Sequence, residues 1–85
     1  MVTVKLFGLL RLDTGVRELR VEAATLKELY PRTLAALKEQ NPACPLTEER
    51  LRDCLAAVNG EPARSPRTKL RDGDTVSLFP PVAGG

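Results

Sequence analysis

Two short runs at opposite ends of the chain, Val2–Phe7 and Thr75–Phe79, alternate apolar and polar residues with a period of two. That period belongs to a strand with one buried and one exposed face. Val4 and Leu6 in the first run, with Val76 and Leu78 in the second, set the inward face, because a slip of one residue would expose all four. The same register turns Phe7 and Phe79, the only phenylalanines in the chain, away from the core. If the two strands are neighbours, both rings and the Leu9–Leu10 pair form an apolar surface patch. On a small soluble protein such a patch marks an interaction site.

Between these ends, Asp13–Gly15 precedes a second strand with Leu19 and Val21 inward. The connection "GLLRLDTG" reads as a long and unusually apolar hairpin loop. Thr25 offers an N-cap and Glu28 completes a capping box, predicting a helix over 25–40. Its apolar face is Leu26, Leu29, Tyr30, Leu34 and Leu37. Pro31 conflicts with that helix, since an interior proline removes a donor and clashes with the preceding turn at a cost of about 3 kcal/mol. A kink there, or a helix that begins near Pro31, is expected. "NPACP" ends the helix, and Thr47 caps one or two further turns over "TEERLRD". "CLAAVNG" predicts a third strand running into an Asn59–Gly60 turn, and "RDGD" a tight turn before the last strand. The order is strand, strand, helix, short helix, strand, strand. This is an α+β arrangement, one mixed sheet with a main helix packed across one face.

Composition narrows the chemistry. A chain of 85 residues, 42% hydrophobic and 28% charged, suits one soluble globular domain. Its net charge of +2 gives no argument for nucleic acid. Only Arg64, Arg67, Lys69 and Arg71 form a basic stretch, either a solvated loop or a docking patch for an acidic partner or a phosphate-bearing ligand. No apolar run approaches the roughly 20 residues that cross a bilayer, and Lys5 interrupts the opening run, so neither a membrane span nor a signal peptide is expected. Cys44 and Cys54 are too few for a disulfide framework and lack metal-ligand spacing. They read as reduced packing thiols of a cytoplasmic protein, with a bridge between them as the alternative. The chain has no histidine, the commonest general base and metal ligand at neutral pH. Histidine-dependent triads and His-based zinc sites are excluded, and no metal site is expected.

The final seven residues, "FPPVAGG", carry the strongest functional signal. Pro80 has no N–H and ends ladder pairing, and it is held extended by the proline that follows. Residues 80–85 then form a stiff strut that softens at Ala83, Gly84 and Gly85, set off from a domain over 1–79. Six residues at about 3.1 Å each reach roughly 19 Å, enough to enter another protein's active site. Two glycines have almost no cross-section, so a narrow channel admits the backbone and its carboxylate. That carboxylate is inert until activated, for example as an acyl-adenylate made from ATP with AMP as leaving group. A persulfide nucleophile followed by reduction leaves a thiocarboxylate. A thiol followed by an amine gives ubiquitin-type conjugation.

In "VTVKLFG", "AAVNG", "LRDGDTVSLFPP" and the closing "VAGG", the chain resembles the small sulfur-carrier subunits of molybdopterin synthase. These belong to the ubiquitin-like β-grasp family, which also includes the thiamine sulfur carrier. The double proline before the diglycine favours the molybdopterin branch. The resemblance implies that Gly85, presented by Gly84, is adenylated by a ubiquitin-activating-like enzyme and converted to a thiocarboxylate, with no proteolytic trimming needed. ATP is consumed on that enzyme, and the carrier itself binds no cofactor. The tail, Pro80, Pro81, Val82 and Ala83 included, would insert into the large synthase subunit, two carriers with two large subunits forming a heterotetramer. There it would donate sulfur to cyclic pyranopterin monophosphate. The family's interface aromatics fall on Phe7 and Phe79, and Arg11 matches a basic position near the contact with the activating enzyme. A carrier serving thiamine, cysteine or tRNA thiolation, a tungsten-pterin variant, a protein modifier and a plain interaction module are the alternatives.

Overall fold

The alternating run at the start forms strand β1 (Val2–Leu6), and the one at the end forms β5 (Thr75–Phe79). In the computed structural model, which describes residues 1–81, these two strands lie side by side and parallel. Val4 pairs with Val76 and Leu6 with Leu78, and all four are buried, so the inward face is the one the alternation specifies. β1 also pairs antiparallel with β2 (Glu18–Val21), and β5 pairs antiparallel with β3 (Leu55–Val58), which pairs in turn with β4 (Glu61–Ala63). The five-stranded sheet therefore runs β2-β1-β5-β3-β4. β3 and β4 are joined by Asn59 and Gly60, with φ of 51° and 86°, the pair of positive values that a two-residue hairpin requires.

Helix α1 spans Leu9–Thr14, α2 spans Leu26–Gln40 and α3 spans Glu48–Arg52. The main helix α2 begins at Leu26 and runs through Pro31, so the proline does not set its start. Every donor of its first turn is satisfied. Leu26 N–H donates to Thr68 O, Lys27 N–H to Pro66 O, Glu28 N–H to the Thr25 hydroxyl and Leu29 N–H to Thr25 O. Anchoring by the 65–68 loop offsets the bond that Pro31 removes. Leu26, Leu29, Thr33 and Leu37 form the stripe that α2 buries against the sheet. α3 is capped by Thr47, whose hydroxyl accepts from Arg50 N–H, and it buries Leu51.

Two expectations need correction. The "GLLRLDTG" connection is not an extended loop, because α1 occupies most of it. Its Leu10 is 4% exposed and belongs to the core, whereas Leu9 is 60% exposed, so only one of the two leucines remains on the surface. The short strand β4, with Pro62 at its centre, adds an edge to the sheet beyond the four predicted strands.

Thr33 is fully buried, and its hydroxyl has no hydrogen-bond partner among the described residues. An unpaired buried hydroxyl costs roughly 1–3 kcal/mol. Thr33→Val keeps the shape and removes that cost. We expect it to stabilise the domain by about 1 kcal/mol, raising Tm by roughly 4–8 °C. An unchanged or lower Tm in thermal denaturation would show that the hydroxyl is paired.

Both cysteines are buried and free, as packing thiols. Burial, with the charge of Asp53 adding to it and Arg50 opposing, pushes the Cys54 thiol from 9.0 up to about 11. Its Sγ–H faces Arg50 O at 3.3 Å. A folded pKa above the unfolded value stabilises the fold below pH 9 and loses that contribution as pH rises towards 11. Wild type is therefore expected to lose more stability than Cys54→Ala across this window. Parallel urea midpoints from pH 8 to 11 for the two proteins would contradict the shift.

Candidate docking face and tail exit

The sheet has one face under α2 and one open face. On the open face, Lys5, Ser77, Ala57 and Pro62 are successive cross-strand partners across β1, β5, β3 and β4. One step further along the strands, β5 contributes Phe79 and β3 contributes Leu55, paired in register. Phe7 follows β1 directly, and its N–H donates to Leu78 O at 3.2 Å, which keeps its backbone in the ladder. The two phenylalanine rings stack with centroids 4.7 Å apart and planes 15° from parallel. Phe7 is 36% exposed, Phe79 38% and Leu55 65%. Three apolar side chains thus meet at one end of the open face, where water is displaced only if another molecule covers them.

Leu55 is missing from the sequence-based site. Its signal lies in the register, because Ala56 and Val58 face inward and leave Leu55 and Ala57 outward. Arg11 is singled out by the resemblance alone. It sits exposed on α1 and lines a cavity of about 340 Å³ with Lys5, Leu6, Phe7, Arg17 and Glu18. The helix in the first connection is what carries Arg11 to the rim of the phenylalanine patch.

Pro80 leaves the sheet immediately after Phe79, half-buried, and Pro81 is exposed. With Leu9, Leu10 and Asp13 of α1, with Leu46, and with Arg50, Asp53 and Cys54, the two prolines line a cavity of about 260 Å³. The exit is shaped by Gly8, at φ 59° and ψ −134° between β1 and α1. A Cβ at Gly8 would lie 3.1 Å from Pro80 Cγ and 3.4 Å from Cδ. Glycine is required twice over, by the backbone conformation and by the proline packed on it. Gly8→Ala is expected to destabilise the domain by about 1–3 kcal/mol and to displace Pro80. Urea denaturation with amide shifts at Phe79 and Leu9, the residues flanking the contact, checks both, and a neutral result would mean the turn adapts freely. Val82, Ala83, Gly84 and Gly85, the remaining predicted site residues, lie outside the described residues.

Among the described residues no group of His, Cys, Asp or Glu is arranged to hold a metal ion, and no helix is long and apolar enough to cross a membrane. What the geometry presents is an apolar stacked pair beside a proline-led exit. Together with a five-stranded mixed sheet crossed by one main helix, this defines a ubiquitin-like β-grasp domain.

The ThiS family model matches residues 4–85, and the chain belongs to that family of sulfur carriers. No curated protein matches the sequence. Among solved structures, the chain is similar to SAMP1 from Haloferax volcanii, at 28% identity over 99% of this chain and 98% of the other, with a TM-score of 0.71. It is similar to a chain in the complex of subunits 1 and 2 of molybdopterin-converting factor from Helicobacter pylori, at 32% identity over 99% and 97%, TM-score 0.61. A chain of the BexX/CysO complex of Amycolatopsis orientalis shares 30% identity over the whole of both chains, TM-score 0.71.

Proposed function

We propose that this chain is the small, sulfur-carrying subunit of molybdopterin synthase, acting in the cytoplasm. The observation that carries the reading is the stacked Phe7–Phe79 pair at the point where Pro80 and Pro81 lead the chain away from the sheet. A partner seated on those rings holds the origin of the tail at its own entrance, so binding and delivery are one event. The double proline supports the molybdopterin branch, as does the likeness to a chain of the Helicobacter pylori molybdopterin-converting factor.

The chemistry proceeds at the Gly85 carboxylate. A ubiquitin-activating-like enzyme joins it to the α-phosphate of ATP and releases pyrophosphate. A persulfide attacks the acyl carbon and AMP leaves. A second thiol then attacks the donor-side sulfur of the resulting acyl disulfide, forming a disulfide with the donor and releasing the thiocarboxylate. Inside the large subunit this sulfur attacks a carbon of cyclic pyranopterin monophosphate and displaces a phosphate oxygen from it, and hydrolysis of the acyl link leaves sulfur on the pterin and restores the carboxylate. Two carriers and two large subunits form the working heterotetramer.

The likeness to SAMP1, a small archaeal modifier protein, favours one second reading, conjugation to amines. Intact mass after incubation with ATP, an activating enzyme and a sulfur source separates the two. Exchange of one oxygen for sulfur supports the carrier, and isopeptide adducts support the modifier. No change in mass overturns both.

A further inference from the structure

Four cations from separate parts of the chain meet at one cavity. Lys27 stands in the first turn of α2, Arg52 at the end of α3, Arg64 directly after β4 and Arg67 in the following loop. With Tyr30 and Pro66 they line a space of about 520 Å³, and none of these six residues is a carboxylate. The chain carries a net charge of only +2, so this concentration does not follow from its composition. Glu48 ion-pairs with Arg52, while Lys27, Arg64 and Arg67 have no ion-pair partner among the described residues.

Tyr30 forms the floor. It is 6% exposed, and its phenol makes no hydrogen bond among the described residues. Burial and Cys54 raise the phenol's pKa while Arg52, which lines the same cavity, acts against them. A free O–H donor ringed by cations is matched by a group with several acceptor oxygens and concentrated negative charge. Arginine forks suit phosphate and carboxylate alike. An acidic peptide, however, carries one charge per carboxylate on flexible stems from successive residues, whereas linked phosphates carry charge on every group, joined rigidly through one bridging oxygen. The cavity volume lies within the roughly 300–1,000 Å³ of small-molecule sites.

We propose that this cavity binds a small ligand bearing linked phosphoryl groups, with Tyr30 donating from the floor and Arg52, Arg64, Arg67 and Lys27 closing around the charge. The site adjoins the phenylalanine patch, since Tyr30, Arg52 and Arg64 also line a cavity with Leu55 and Phe79, but it does not depend on the proposed sulfur chemistry.

Titration of the ¹⁵N-labelled full chain with inorganic pyrophosphate, at ionic strength fixed with sodium chloride, tests it. Saturable shifts confined to the amides of Lys27, Tyr30, Arg52, Arg64 and Arg67, with Kd below about 1 mM, are expected. The double variant Arg64→Gln/Arg67→Gln, altered only at exposed positions, should weaken binding at least about tenfold, as each lost charge-assisted contact is worth more than a kilocalorie. Tyr30→Phe should weaken it with the fold intact, and Arg20→Gln on the open sheet face should leave it unchanged. Non-saturating or dispersed shifts, or equal binding by the double variant, would overturn the proposal. Saturation by a hexaglutamate peptide but not by pyrophosphate would overturn it in favour of an acidic protein segment.

Discussion

Removal of Gly85 is expected to abolish thiocarboxylate formation while leaving the Tm of the domain unchanged. The two halves of this result have separate causes. The core closes at Leu78, and beyond Phe79 the described chain touches the domain through Pro80 and Pro81 alone. The buried residues that build the described core, from Val2 to Leu78, are all retained in the truncation. The chemistry, in contrast, depends on where the carboxylate stands. Deletion moves it back by one residue, roughly 3.3–3.6 Å of extended chain. Reacting atoms must approach to about 3–3.5 Å, and a misplacement of about 1 Å already costs on the order of a hundredfold. A displacement of a whole residue takes the carboxylate out of reach of the activating enzyme's nucleotide. Adding an alanine after Gly85 should be as damaging, because it puts an amide where the carboxylate is needed. Intact mass reports the sulfur exchange and thermal denaturation reports the fold. A truncated protein that still gains sulfur would sink the proposed handle, and one that unfolds would show that the tail belongs to the core.

The parts of this structure that the sequence discloses are those with strong local signals. Val4, Leu6, Val76 and Leu78 alternate against polar neighbours, and that contrast specified both the buried face and the outward turn of Phe7 and Phe79. Thr25 and Thr47 show their helices because a capping side chain is a sequence-visible device. α1 carries no such mark. It is six residues long, begins at Gly8 with no side-chain cap, and has no acid in its first turn, so its leucines read as an apolar loop. β4 was hidden by Pro62, which lowers the expectation of a strand although an edge strand accepts it. Leu55 lies in "LAAV", where small apolar neighbours give no contrast, and only pairing with Phe79 shows which way it faces. The basic stretch was legible as a run, but its grouping was not. Folding takes Arg64 and Arg67 to Lys27 and Arg52, and leaves Lys69 and Arg71 outside the cavity.

Phe79→Ala is expected to weaken association with the large synthase subunit by at least about 2 kcal/mol, roughly thirtyfold in Kd, while costing the isolated domain much less. The asymmetry follows from the alternation. Leu78 is fully buried and holds the sheet to the core, whereas Phe79 points the other way and is 38% exposed. In the free domain its truncation removes the stack with Phe7 at 4.7 Å, an interaction worth about 0.5–1.5 kcal/mol. In the complex it also removes the centre of an apolar patch flanked by Phe7 and Leu55, the position where an aromatic ring contributes most to binding. Calorimetric titration against the large subunit measures one loss, and urea denaturation of the free carrier measures the other. Leu55→Ala, more exposed at 65%, should repeat the pattern with an even smaller effect on stability. Equal losses at Phe79 in the two measurements would place the ring in the core and reverse the assignment of the two faces. Weak binding by wild type itself would count against the partner, and the outward register would still stand on Val76 and Leu78.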